Sequence, residues 1–180
     1  MGVYIIIAVI AIVLVYALTS YNGLINLRNR VKEAFATMDV YLKKRWDLIP
    51  NIVETVKGYA THEKDTLKSI VDLRNNAYDT MQQKDKIAAD NQITGALSKL
   101  MALAENYPDL KANQNFLELS KELSKVEEDI ANSRKYYNAV VRNYNNAVQM
   151  FPSNIISSVF GFKEEPMFET AERENVKVDF

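Results

Sequence analysis

Four charged side chains stand where apolar ones are due: Glu63, Arg74, Glu127 and Arg134. Glu63 and Arg74 fill two positions of an otherwise apolar helical stripe. Arg134 falls between Ile130 and Tyr137 on another, and Glu127 adjoins Val126 one heptad before Arg134. Carboxylates inside a helical bundle are the raw material of di-metal centres. Those centres take Glu-x-x-His motifs from two helices. Here the only histidine is His62, no histidine follows a glutamate by three residues, and Thr66 breaks a His-Glu-x-x-His pattern. There is no cysteine, hence no thiolate site and no disulfide. The expectation is therefore no metal, no cofactor and no catalytic residue, with His62 at a surface or helix edge. Desolvating an ion costs several kcal/mol unless it is paired. Two helices each carrying one inward Glu and one inward Arg predict cross-helix pairs, such as Glu63 with Arg134 or Arg74 with Glu127.

A second constellation is the repeat in YNAVVRNYNNAV, residues 137–148. Tyr137-Asn138 recurs seven residues later as Tyr144-Asn145. Both tyrosines fall on the inward stripe, and a buried phenol needs a hydrogen-bond partner. One reading is a polar seam that fixes helix register, with Tyr137 and Tyr144 bonding the Arg, Glu and Asn groups nearby. The other is an exposed aromatic-amide face that binds a partner.

The elements that position these groups are helical. The chain has 180 residues, 48% of them apolar, with only 5 Gly and 4 Pro. That composition suits one all-α domain with an appendage. The net charge of −1 offers no field for nucleic acid, so none is expected as a partner. MGVYIIIAVIAIVLVYAL opens the chain without a charge, and the first charged side chain is Arg28. Eighteen residues at helical rise span about 27 Å, close to the hydrocarbon core of a bilayer. Residues 3–19 read as a transmembrane helix, with Tyr4 and Tyr16 at its ends. A cleaved signal sequence ending near Ala17 is the competing reading, but the segment lacks the basic start such signals carry. Arg28, Arg30 and Lys32 follow the span, which predicts a single-pass protein of the inner or cell membrane, N-terminus outside and bundle cytoplasmic.

Beyond the anchor, apolar residues recur every three or four positions. The stripes are Leu24 to Tyr41, Ile49 to Met81, Ile93 to Leu103, and Phe116 to Phe151. They predict helices over about 21–47, 49–82, 91–106 and 113–150, in a long antiparallel four-helix bundle. Pro50 reads as a kink or a turn, with Asp47 capping the next helix, although one kinked helix over 21–60 fits the stripe too. QQKDKIAADNQ (82–92) reads as a connection, and Pro108 stops the third helix. The organisation is then 1–20 anchor, 21–162 bundle and 163–180 extended tail. NIISSVFGF (154–162) either caps the open end of the core or lies in the lipid interface. In the tail, Val176, Val178 and Phe180 alternate up to a free carboxylate. That pattern suits strand addition and carboxylate capture by a partner, or docking of the tail on its own bundle.

The stretches RWDLIPNIVETVKGYA, YPDLKANQNF, IANSRKYYNAVVRNYN, FPSNII, FGF and KVDF together resemble the LemA family of bacterial membrane-anchored proteins. The resemblance runs from about Tyr21 to Phe180. Its matching positions include Asp39, Asp47, Pro50, Glu63, Arg74, Glu127, Arg134, Tyr137, Asn138, Tyr144 and Asn145. Phe35 stands where members often have Trp, and Tyr41 where they often have a polar residue. The resemblance implies one N-terminal transmembrane helix, a helical bundle, N-out topology and no assigned enzymatic activity. It also implies membrane-protein partners, since relatives occur beside membrane zinc metalloproteases and in magnetosomes. The expected function is a non-catalytic membrane-anchored scaffold or adaptor that organises such partners or forms homo-oligomers. The alternative is a membrane-surface or membrane-remodelling protein that works on the lipid bilayer through residues 154–162.

Overall fold

The computed structural model describes residues 1–60, 63–73 and 78–168, apart from the side chains at 65, 69 and 73. The protein is all-α, with no strand among the described residues. The helices are α1 (Gly2–Lys57), α2 (Lys64–Leu73), α3 (Gln83–Ala104), α4 (Pro108–Lys111), α5 (Gln114–Gln149) and α6 (Ser153–Phe160), with a 3-10 turn at Tyr78–Thr80.

Several boundaries differ from the sequence expectation. Helix α1 runs through Pro50 without breaking. Proline forfeits one backbone hydrogen bond. The buried series Leu42, Trp46, Ile49, Ile52, Val53 and Val56 continues across it, and tertiary burial outweighs the local defect. Asp47 therefore caps nothing. It sits mid-helix and pairs with Lys43 four residues earlier, at 2.9 Å. The helix instead ends just before Gly58, where the amides of Tyr59 and Ala60 both turn back to the Val56 carbonyl. The expected helix over 49–82 is thus divided between the end of α1, α2 and the 3-10 turn. Conversely, the polar stretch expected to connect helices is largely the first half of α3.

The chain divides into two compact units, Met1–Lys32 with Tyr136–Phe180, and Glu33–Lys135. In the first, Leu24, Val31, Tyr137, Val141, Tyr144, Phe162 and Phe168 are buried. In the second, the core is drawn from Met38 to Val56 on α1, Leu67 and Ile70 on α2, Ile87 to Leu100 on α3, and Phe116 to Ile130 on α5. Asn113 caps α5, its Oδ1 accepting from the Phe116 amide at 3.0 Å. Near the N-terminus, an 18-residue window of α1 has a mean hydropathy of 2.7 and none of it is buried, so it is long and apolar enough to cross a membrane. The C-terminus of α6 is closed by Gly161 at φ 71°, a left-handed turn that favours glycine. That turn lets the Phe162 amide bond back to Ser157 and starts the extended segment that follows.

Candidate functional site

In the unit Glu33–Lys135, ions gather around Asp90. Arg45 is 1% exposed and its guanidinium binds the Asp90 carboxylate. It also donates to the Asp90 carbonyl at 3.1 Å, Thr94 Oγ1 at 3.0 Å and Glu127 Oε1 at 2.9 Å. Arg134 binds the other Asp90 oxygen. Beside them, Tyr78 donates to Asp39 at 2.6 Å, and Lys86 pairs with the second Asp39 oxygen at 2.7 Å while lying over the Tyr78 ring. Burial pushes the Asp90 carboxyl up, and the two guanidinium groups pull it back. Burial also raises the Tyr78 phenol far above its ordinary range, helped by its bond to the Asp39 carboxylate.

Arg45, Arg134, Asp90 and Glu127 cancel in charge, and the central carboxylate is shut away from solvent. Each of these charges has an opposite charge beside it, which offsets the desolvation that burial imposes. Among the described residues, no group of three or more His, Cys, Asp or Glu could hold a metal ion.

Arg134 meets Asp90, and Glu127 meets Arg45, whereas Glu63 lies half-buried just before α2. His62, Arg74, Val176, Val178 and Phe180 lie outside the described residues. Arg45 and Asp90 carried a legible signal. Continuing the α1 stripe from Met38 through Leu42 in 4–3 alternation lands on Arg45, Ile49 and Ile52. Asp90 stands three residues before the buried Ile93. Following Tyr41 instead of Leu42, and starting the third stripe at Ile93, hides both.

The tyrosine-asparagine repeat belongs to the other unit and does something different. Tyr137 and Tyr144 are fully buried. They donate to backbone carbonyls of the tail, Tyr144 to Lys163 at 2.9 Å and Tyr137 to Pro166 at 2.8 Å. Each asparagine grips one tail residue by both of its backbone groups. Asn145 accepts from the Glu165 amide at 2.9 Å and donates to its carbonyl at 3.0 Å. Asn138 does the same to Phe168, both at 2.9 Å. The heptad spacing follows from two pitches. Seven helical residues rise about 10.5 Å, and three extended residues span about 10 Å. One rung every seven residues of α5 therefore matches one rung every three residues of the tail, from 165 to 168 and from 163 to 166.

Pro166 sits where only a carbonyl is used, so its missing N–H costs nothing, and it holds Glu165 extended. Phe162 and Phe168 anchor the two ends. Phe168 packs edge-on to Tyr137 at 5.5 Å, and Phe162 lies against Tyr21 at 5.7 Å and under Arg28 at 5.2 Å. Six hydrogen bonds hold the segment. At about 1 kcal/mol each they contribute roughly 6 kcal/mol. Ordering six residues costs on the order of 6–12 kcal/mol. The two buried phenylalanines add about 3–6 kcal/mol. Hydrogen bonds thus set the register and aromatic burial tips the balance. Tyr144 stays a donor, since burial and the neighbouring Glu165 raise its phenol.

An all-α chain with a candidate N-terminal span, an internally paired ionic cluster and a tail clamped to its last long helix is a membrane-associated helical protein. Residues 34–180 match the LemA family, and the chain belongs to that family. It is 25% identical over 159 residues to protein LemA of Metamycoplasma hominis, covering 88% of this chain and 73% of that one. It is 23% identical over 178 residues to the magnetosome protein MamQ 2 of Paramagnetospirillum magneticum. The identity is also 23%, over 177 residues, to the magnetosome protein MamQ of Magnetospirillum gryphiswaldense. In both cases 84% of this chain is covered, and it spans 65% of the length of the magnetosome protein. None of these names is that of an enzyme.

Proposed function

We propose that the protein is a single-pass scaffold or adaptor of the inner or cell membrane, with its N-terminus outside and its helices in the cytoplasm. It organises membrane-protein partners, a membrane metalloprotease among the candidate classes, or self-associates, and it performs no catalysis. The observation that carries this reading is the clamp. Four side chains of α5 hold backbone groups of residues 163–168, so the chain beyond Phe168 leaves from a fixed point on the protein. Val176, Val178 and Phe180 follow within twelve residues of that point, an alternating apolar pattern that suits addition to a partner's sheet edge. The basic residues after the span support the orientation. Similarity to magnetosome proteins supports a role at membranes.

The test is crosslinking in native membranes, gentle extraction and identification of the attached chains. Full-length protein is expected to bring down a defined partner or a defined oligomer, and deletion of 177–180 to remove a partner. Recovery of the bare monomer under both conditions would sink the proposal.

A further inference from the structure

Helix α6 presents apolar side chains to the outside in a place where the rest of the chain also carries no charge. Val159 is 72% exposed, Phe151 79% and Ile155 54%, and Phe160 stays 58% exposed although its ring lies tilted against that of Tyr21, 4.8 Å between centroids. The expected inward stripe of α5 thus fails at its last position, since Phe151 faces outward. Tyr21 directly follows the apolar stretch of α1, so the contact places α6 at the foot of the candidate span. No charged side chain occurs in 1–27 or in 143–162, and these are the two segments that meet there. The first cation of α1, Arg28, lies over Phe162, immediately before Lys163 resumes the charge. The charge-free collar between Ser20 and Arg28 spans about 12 Å of helix. An interfacial layer is roughly 5–8 Å deep.

We infer that α6 is a lipid-surface helix. Ile155 and Val159, with Phe151, enter the bilayer interface beside the span, while Ser157 turns inward and bonds the Val148 carbonyl. Water would leave these side chains as an exposed apolar patch, whereas the headgroup–acyl boundary removes them from it. The inference rests on the span crossing a membrane, and the test separates the two claims.

The protein has no cysteine, so single-cysteine variants of the full chain accept one nitroxide label each. The variants are Val15→Cys, Ile155→Cys, Val159→Cys and Lys99→Cys, reconstituted in phosphatidylcholine–phosphatidylglycerol vesicles. Collision rates are measured with oxygen and with a water-soluble nickel chelate. Labels at 155 and 159 are expected to favour oxygen, as at 15, and label 99 to show the reverse. Nickel access at 155 and 159 with Val15 in lipid would overturn the α6 assignment alone. Nickel access at 15 would overturn the anchor as well. Spin–spin broadening at 155 or 159 that disappears on dilution with unlabelled chain would assign the face to a second copy, and so against lipid.

Discussion

The two polar sites of this protein use opposite physics. Around Asp90, the buried charges of Arg45 and Asp90 are satisfied by each other and by the partly exposed Glu127 and Arg134. On α5, neutral phenols and amides are buried and satisfied by backbone groups of the tail. Removing one member of the first leaves an uncompensated ion. Removing one member of the second leaves a neutral group that water can reach once the tail lifts. The ionic site is therefore brittle and tied to the fold of its unit, while the neutral site is a latch that can open locally.

Breaking the ionic site gives the largest effect. Arg45→Met should lower unfolding free energy by about 3–5 kcal/mol in denaturant melts, since Asp90 and Glu127 lose their shared partner. Arg45→Met combined with Asp90→Leu, Glu127→Gln and Arg134→Met, which removes all four charges together, should recover much of that loss. Persistence of the full deficit would show that packing rather than charge is at stake. Next comes Phe168→Ala, which removes a buried ring at a cost of about 3 kcal/mol. It should free the tail to limited proteolysis while the melt of the rest stays in place, and a drop in the global melt would deny the latch its local character.

Asn138→Ala should cost about 1–3 kcal/mol. Hydrogen exchange is the sharpest reading, because the Phe168 amide donates directly to Asn138 and the Glu165 amide to Asn145. Each substitution should speed exchange most at its own rung. Tyr144→Phe should cost roughly 1 kcal/mol, by leaving the Lys163 carbonyl without its donor.

The smallest effect near neutrality is on titration. The Tyr78 and Tyr144 phenols are raised above 10.0 by burial, so the folded state holds their protons more tightly than the unfolded state. Their contribution to stability is full below pH 10 and is lost as pH rises past it. Tyrosinate absorbance should lag behind that of the exposed tyrosines and appear only with alkaline unfolding. Tyr78→Phe should remove part of that lag.

Much of the fold could be read from apolar spacing. The stripe of α5 from Phe116 to Tyr144 is buried nearly position for position, and its limits fall within a residue of the expected 113–150. The charged members of the stripes were harder to read. Periodicity is followed by stepping from one apolar residue to the next, and Arg45 and Asp90 interrupt that walk although both lie on it. At Pro50 the local penalty and the in-phase stripe point opposite ways, to a break and to one continuous helix, and burial of the row on either side decides for the continuous helix.

By itself, the sequence determined what each residue can satisfy locally. It set the helical periods, the apolar span, the glycine that turns the chain after α6, and the need of two buried phenols for acceptors. Tertiary structure decided which acceptors those would be. Asparagine and tyrosine side chains can bond any backbone of the right pitch, and only the return of residues 163–168 along α5 supplies one. A buried charge likewise requires a counter-ion but does not name it. Arg45 and Asp90 are 45 residues apart, and only the folding together of α1 and α3 makes them a pair.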